Sequence, residues 1–162
     1  MSGTDEDRVA IPGSARASPG TSRRLRPAGP GEPVEATLVV RRPERPEGMA
    51  AALLAGQPVA RSREEAEERL RSSDADVQSV VEFASRFGLR VVRTSREEHV
   101  VQVEGTVSQA EAAFGVVLAH VEEGGRTFRS YDGEITVPRS MAGVITAVLG
   151  LDERPVARRR GG

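Results

Sequence analysis

Residues 107–152, VSQAEAAFGVVLAHVEEGGRTFRSYDGEITVPRSMAGVITAVLGLD, hold the densest succession of structural signals in the chain. Apolar residues at helical spacing end at Gly115 and are followed by a strand-like run over residues 116–121. A turn at Gly124 leads to a second strand-like run over residues 127–131. This segment holds three of the five aromatic side chains of the protein, Phe114, Phe128 and Tyr131, so we expect it to supply much of the core.

The end of this segment predicts a hairpin over residues 127–137 and then a C-terminal helix. The helix is indicated by apolar residues that recur at positions i, i+3, i+4 and i+7. These residues are Met141, Val144, Ile145 and Val148.

Upstream, residues 34–42 alternate between apolar and polar side chains and predict a half-buried strand. The clearest helix begins at Asp74 and ends at Gly88, and residues 89–93 and 99–104 predict two hairpin strands. The apolar stripe of that helix consists of Val77, Val80, Val81, Ala84 and Phe87.

The order of these elements indicates an α+β fold. Strand, helix, strand, strand, helix and strand follow one another, which is the ferredoxin-like β-α-β-β-α-β layout, an antiparallel sheet with both helices on one face. We place residues 116–121 as its fourth strand and add the extra hairpin and the C-terminal helix. Two short helices, over residues 49–55 and 62–71, are predicted inside the long connection after the first strand.

Composition divides the chain into three parts. Residues 1–33 contain five glycines, five prolines and no aromatic residue, which predicts a disordered N-terminal arm. Residues 34–152 are rich in valine and periodic, and we assign them to the folded domain. Residues 153–162 form a basic tail that ends in Arg158-Arg159-Arg160-Gly161-Gly162.

Several classes of function are disfavoured by the residues present. The chain has no cysteine, and its two histidines, His99 and His120, have no third nitrogen or thiol ligand near them in sequence, so we expect no metal site and no cofactor. A net charge of −1 gives no drive toward nucleic acid or a membrane surface. The predicted middle strands also lack the aromatics that stack on RNA bases. Because no catalytic constellation stands out, we expect a partner that is another protein.

A family likeness is carried by motifs that follow one another in order: AFGVVL at 113–118, FRSY at 128–131, VP at 137–138, AVLGLD at 147–152 and RP at 154–155. This succession resembles the activation domain of the kumamolisin-type sedolisins, which are acid-acting serine-carboxyl peptidases. The likeness extends over roughly residues 32–158. It implies a ferredoxin-like propeptide that helps the peptidase domain to fold and keeps it inactive until acidification.

The resemblance carries further expectations. The expected partner is a sedolisin-like peptidase domain of the same precursor, which is extracellular although no classical signal peptide is visible. The Ser, Glu and Asp catalytic residues of the family are missing from this chain, so we expect no enzyme activity from it. Family propeptides are cut in the segment after the domain, which makes Arg158, Arg159 and Arg160 the expected cleavage region. A precursor fragment is favoured, and a stand-alone ferredoxin-like binding or regulatory domain is the alternative.

Two surfaces are expected to dock the partner: the sheet face opposite the helices, and the hairpin with Phe128, Arg129 and Tyr131 as anchors. The alternative is that Phe128 and Tyr131 close the core.

The resemblance also implies release of the partner in acid. Carboxylates paired with arginines predict that affinity for the partner is lost with a midpoint on the acid side of about pH 4 to 5. Protonation of His99 or His120 predicts a midpoint near pH ~6. We favour carboxylates, because the chain has 24 of them.

Overall fold

The computed structural model describes residues 7–16, 22–43, 64 and 70–153. The predicted helix over residues 49–55, and nearly all of the one over residues 62–71, lie outside these residues. The described strands are β1 (Arg8–Ala10), β2 (Arg23–Pro27), β3 (Pro33–Val40), β4 (Arg90–Ser95), β5 (Val100–Thr106), β6 (Leu118–Glu123), β7 (Arg126–Tyr131), β8 (Thr136–Pro138) and β9 (Ile145–Leu149), and the α-helices are α1 (Asp74–Arg86) and α2 (Val107–Phe114).

The centre of the fold is a four-stranded antiparallel sheet. Strand β3 lies between β5 and β9, and β4 pairs with the outer side of β5, so the order is β4-β5-β3-β9. Helix α1 follows β3, and α2 follows β5. The chain therefore runs β-α-β-β-α-β through this sheet, which confirms the α+β, ferredoxin-like fold class expected from the sequence.

Both helices cover the same face of the sheet. The ring of Phe83 in α1 lies 5.2 Å from Phe87 and 6.1 Å from Phe114 of α2, measured between centroids. Phe83 is fully buried, although the predicted apolar stripe of α1 did not include it. The alternation of β3 supplies the sheet side of this core through Val34, Ala36, Leu38 and Val40, which are all buried.

Side-chain caps fix where the helices begin. Ser73 accepts a hydrogen bond from the backbone N–H of Asp76 and starts α1 where the sequence placed it. In α2 the capping box is formed by Thr106 and Gln109, so Thr106 is the N-cap and the helix begins at Val107. The helix ends at Gly115, which has a left-handed φ of 65°.

The predicted C-terminal helix is wrong. Arg139–Met141 form a single 3₁₀ turn, Gly143 has a φ of 79°, and the segment after it is strand β9. Ile145 and Val148 are both buried, and their three-residue separation imitates a helical stripe. The cause is an irregularity in the pairing of β3 with β9, because an extra residue in a strand shifts the side chains after it to the other face.

The fourth strand of the ferredoxin-like sheet is therefore β9, and the run predicted for that place belongs elsewhere. Strand β6 pairs with β2 on one side and with β7 on the other, in a separate three-stranded antiparallel sheet. The hairpin is thus formed by β6 and β7 around Gly124 and Gly125, and the predicted hairpin over residues 127–137 is wrong. Strand β8 pairs with β1 instead.

The disordered N-terminal arm is also corrected, for residues 7–16 and 22–33. Strand β1 pairs with β8, β2 pairs with β6, and Ile11 is buried in the main core. The Arg8 side chain donates to the hydroxyl and the carbonyl of Thr136 at 3.0 and 2.9 Å. A segment that is too poor in apolar residues to form its own core is held here by strand edges that the rest of the domain already provides.

Candidate docking surface and exit of the chain

One face of the central sheet is not covered by the helices. We call it the open sheet face. It carries the side chains of β3 that point away from the core, and those of Glu35, Thr37 and Val39 are exposed or half-buried. A shallow depression of about 390 Å³ lies on it. The residues that line this depression come from all four strands and the turn after β9: Glu35, Ala36, Thr37, Val92, Gln102, Val103, Leu149 and Gly150.

Apolar side chains stand at both sides of the depression, and charged pairs stand at its rim. Val92 of β4 is 50% exposed and Leu149 of β9 is 54% exposed. Val92 lies on β4 next to β5, which carries Gln102, and Leu149 lies directly opposite Thr37 of β3. Arg90 pairs with Glu104 beside them. An apolar centre with a polar rim is the usual composition of a protein interface.

The three predicted anchors of the hairpin lie inside the domain. Phe128, Arg129 and Tyr131 are 8%, 7% and 5% exposed. The Tyr131 hydroxyl donates to the carbonyl of Ser14 at 2.8 Å, and burial raises the pKa of this phenol. Burial gives these residues a structural role and favours the alternative that the aromatic pair closes the core. Docking through them stays a prediction that would require their exposure.

Arg129 is instead the centre of a polar cluster that we call the exit cluster, formed by Glu32, His120, Arg129 and Glu153. The Arg129 guanidinium donates to the carbonyl of Pro33 at 3.1 Å. It lies 3.7 Å from a carboxylate oxygen of Glu32 and 3.6 Å from one of Glu153. The backbone N–H of Glu153 also donates to the carbonyl of Arg129, at 2.8 Å.

Glu32 is the carboxylate that both His120 and Arg129 contact. Its two carboxylate oxygens lie 2.9 and 3.0 Å from Nε2 of His120, and it also accepts from the backbone N–H of Gly29. The hydrogen bond from His120 is the main cause that lowers the pKa of Glu32, followed by the bond from Gly29, while desolvation opposes them. The sequence offered no signal for this role, because Glu32 lies in the glycine- and proline-rich part.

The second histidine has a different setting. His99 lies in the turn between β4 and β5, with a φ of 61°, and not in a strand as predicted. Its Nδ1 lies 2.8 Å from the hydroxyl of Ser72, which donates to the carbonyl of Arg41 at 3.0 Å. Ser72 is fully buried, and its hydroxyl proton is donated to the backbone carbonyl of Arg41 and not to His99. The Ser72–His99 pair therefore connects the segment before α1 with the turn between β4 and β5, and it is not arranged as a nucleophile with its base.

An ion pair next to it joins the end of β3 to the start of α1. The Arg41 guanidinium donates to both carboxylate oxygens of Asp76, at 2.8 and 3.0 Å. This hydrogen bonding is the largest cause that lowers the pKa of Asp76.

The described residues contain no group of three His, Cys, Asp or Glu side chains that could hold a metal ion. In the same part of the chain, no helix is both long and apolar enough to cross a membrane. The predicted cleavage region, Arg158 to Arg160, lies beyond residue 153, outside the described residues.

Comparison with known proteins assigns the family. The model of the pro-kumamolisin activation domain matches residues 21–154. The chain belongs to the pro-kumamolisin activation domain family. It is also 40% identical over 83 residues to kumamolisin of Bacillus sp. (strain MN-32). This match includes 51% of the chain and 15% of the relative, so the chain corresponds to a small part of that protein's length.

The family match agrees with the likeness read from the sequence motifs. It begins at residue 21, and so it includes β2 and Glu32, which the sequence had assigned to a disordered arm. The chain is thus a kumamolisin-type pro-domain.

Proposed function

We propose that this chain is a propeptide that inhibits a kumamolisin-type peptidase domain, assists its folding and releases it on acidification. The observation that carries the proposal is the family match over residues 21–154. The open sheet face supports it, because a two-layer domain that leaves one sheet face uncovered has a surface ready for a second protein layer. The chain itself has no enzyme activity in this proposal.

The docking surface in this proposal is the open sheet face, which is one of the two surfaces expected from the sequence. Val92 and Leu149 are the exposed apolar side chains that a partner would cover, and apolar groups that become fully buried contribute most to an interface. Ion pairs at the rim, such as Arg90 with Glu104, would stay exposed to solvent in the complex. They would influence the orientation of the partner more than the affinity of the complex. The domain would act outside the cell, as part of a secreted precursor.

The second part of the proposal concerns the tail. Glu153 is the last described residue, and the basic segment that follows would pass to the peptidase domain and be cut near Arg158, Arg159 and Arg160. Cleavage there would separate the propeptide without disturbing the sheet that carries the docking surface.

An inhibition assay tests the proposal. The purified chain is added to an active kumamolisin-type peptidase at neutral pH and at pH 4, and the residual activity on a peptide substrate gives the inhibition constant. We expect inhibition at neutral pH and its loss in acid. Leu149→Asp places a charge in the apolar centre, and we expect it to raise the inhibition constant at least about tenfold.

Val117→Asp is the matched control. Val117 is also a large exposed apolar residue, at 59%, but it lies between α2 and β6 and does not line the depression on the open sheet face. We expect less than about a twofold change for it, with thermal melts of both variants equal to that of the parent. Equal losses in both variants would contradict docking on the open sheet face.

The alternative is a stand-alone ferredoxin-like binding or regulatory domain. Failure of the chain to inhibit any kumamolisin-type peptidase at neutral pH, and failure to raise the yield of refolded active peptidase, would favour it. Inhibition together with higher refolding yield would exclude it.

A further inference from the structure

The exit cluster joins four separate parts of the domain at the point where the described chain ends. Glu32 lies in the turn before β3, His120 in β6, Arg129 in β7 and Glu153 after β9. Arg129 contacts Glu153 twice, once through the guanidinium at 3.6 Å and once through its carbonyl, which accepts from the Glu153 N–H at 2.8 Å. One buried residue therefore sets the position of the backbone at Glu153.

The charge of the buried Arg129 is fully compensated only while the carboxylates of the exit cluster are ionised. Arg129 is 7% exposed, and within the described part of the chain its Nε has no hydrogen-bond partner. A buried guanidinium is unfavourable unless anions and acceptors compensate it. Glu32 and Glu153 supply the negative charges here, and the Pro33 carbonyl supplies the remaining acceptor.

Other charged groups surround the cluster from each packed element. Arg26 of β2 is the direct cross-strand partner of His120, and Arg129 of β7 is its partner on the other side. Cross-strand partners share one face of a sheet, so two arginines flank this imidazole. After β9, Asp152 lies 3.3 Å from Arg16 of the N-terminal segment. This ion pair stands next in the chain to the one between Glu153 and Arg129.

We propose that Arg129 and Glu32 form a clamp that holds the backbone at Glu153 against the three-stranded sheet, and that acid opens this clamp. The clamp deepens the proposed function, because the segment it positions is the one that leads toward the peptidase. Arg129 is a positioning residue in this proposal and touches no substrate.

The direction of the pH effect follows from the charges. Glu32 has a pKa below its ordinary value, so the clamp is complete above that ordinary value and is lost as the pH falls through the lowered one. Once Glu32 is neutral, Arg129 loses one of its two carboxylate partners while Arg26 and Arg129 still flank His120 in the adjacent strands, and the contact with Glu153 loosens.

The test measures backbone amide exchange by NMR on the full 162-residue chain, in the absence of any peptidase. We expect exchange at residues 150–153, corrected for intrinsic rates, to be about fivefold faster at pH 3 than at pH 6, while the core strands β3 and β5 stay protected. Glu32→Gln should remove most of this pH dependence and should show fast exchange at the exit already at pH 6.

Glu153→Gln gives a second variant that cannot disturb the core, because its side chain is half exposed. We expect it to accelerate exchange at residues 150–153 at pH 6 and to leave the melting temperature unchanged. The matched control is Glu134→Gln, an exposed carboxylate before β8 that takes no part in the cluster.

Equal exchange at the exit in the parent, Glu32→Gln and Glu153→Gln would overturn the clamp. A rise spread evenly over β3 and β5 would also overturn it, because that pattern means global destabilisation. Since no peptidase is present, these outcomes do not depend on inhibition: the clamp can fail while inhibition holds, and inhibition can fail while the clamp is observed.

Discussion

The two larger sheets of this domain both bury apolar side chains but differ in their polar groups. The central sheet, β4-β5-β3-β9, buries an apolar face under two helices, and that face meets Phe83 and Phe114. The three-stranded sheet, β2-β6-β7, adds Leu118 and Tyr131 to the core and also carries the exit cluster, where His120 and Arg129 lie in neighbouring strands. Hydrophobic burial responds little to pH, whereas an ion cluster depends on the protonation of its carboxylates.

In the clamp proposed above, the exit cluster is the part of the domain that responds to protonation. The comparison predicts that core substitutions affect the whole domain and that polar substitutions have local, pH-dependent effects.

The largest effect is expected in the central core. Phe83→Ala removes a fully buried ring that contacts both Phe87 and Phe114, and we expect a loss of about 4 kcal/mol in the free energy of unfolding. Urea denaturation followed by circular dichroism measures it. A loss below about 1 kcal/mol would show that the helices are not packed through this ring.

Deletion of residues 1–16 tests the tie between the N-terminal segment and the core. It removes the buried Ile11 and the acceptor of the Tyr131 hydroxyl, and we expect a loss of about 3 kcal/mol. Thermal melting of the truncated chain checks it. Ile11→Ala in the full chain should lower the stability in the same direction but by less. An unchanged melting temperature in both variants would support the disordered arm predicted from the sequence.

Tyr131→Phe removes a single hydrogen bond and keeps the ring. The hydroxyl of Tyr131 donates to Ser14 at 2.8 Å, so the variant leaves a buried carbonyl short of one donor. We expect a loss of about 1 kcal/mol, read from the midpoint of a urea titration. A gain in stability would mean that Ser14 finds another donor.

The smallest effect is expected from the ion pair at the start of α1. The pKa of Asp76 is lowered by Arg41, so its contribution is present above the ordinary aspartate value and is lost as the pH falls through the lowered value. Because Arg41 is 49% exposed, we expect Asp76→Asn to cost at most about 1 kcal/mol at pH 7. The cost should vanish in strong acid.

Glu82→Gln is the control for this substitution, since it changes an exposed carboxylate on the same helix. Chemical denaturation from pH 2 to pH 7 compares the two variants. A difference between Asp76→Asn and the parent that persisted at pH 2 would show that the effect is not one of charge.

Local patterns predicted much of the central sheet and little of its surroundings. The alternation of β3 and the stripe of α1 predicted a strand and a helix, and both are present. The helix predicted over Met141 to Val148 failed because a pairing irregularity in β9 produced a helical spacing of buried residues. No periodicity in one strand can reveal an irregularity that depends on its partner.

The candidate site was predicted in part for a related reason. The sheet face opposite the helices follows from the alternation of the strands, and so it was found from the sequence. Arg129 was predicted to be a docking anchor of the hairpin, but it is buried, and Glu32 and Glu153, which lie 97 and 24 positions from it, compensate its burial. Such long-range compensation leaves no local signal.

The sequence by itself determined the fold class, the two helices, the apolar face of the central sheet and, through its ordered motifs, the family. The helices and the apolar face depend on residue spacing within one element, and the fold class and the family depend on the order of elements and motifs along the chain. Only the tertiary structure decided that β9 completes the central sheet, that the N-terminal segment is paired, and that Glu32, His120, Arg129 and Glu153 meet at the exit. The physical reason is that strand pairing and buried ion pairs join residues far apart in the chain, and the free energy of such contacts exists only once the chain has folded.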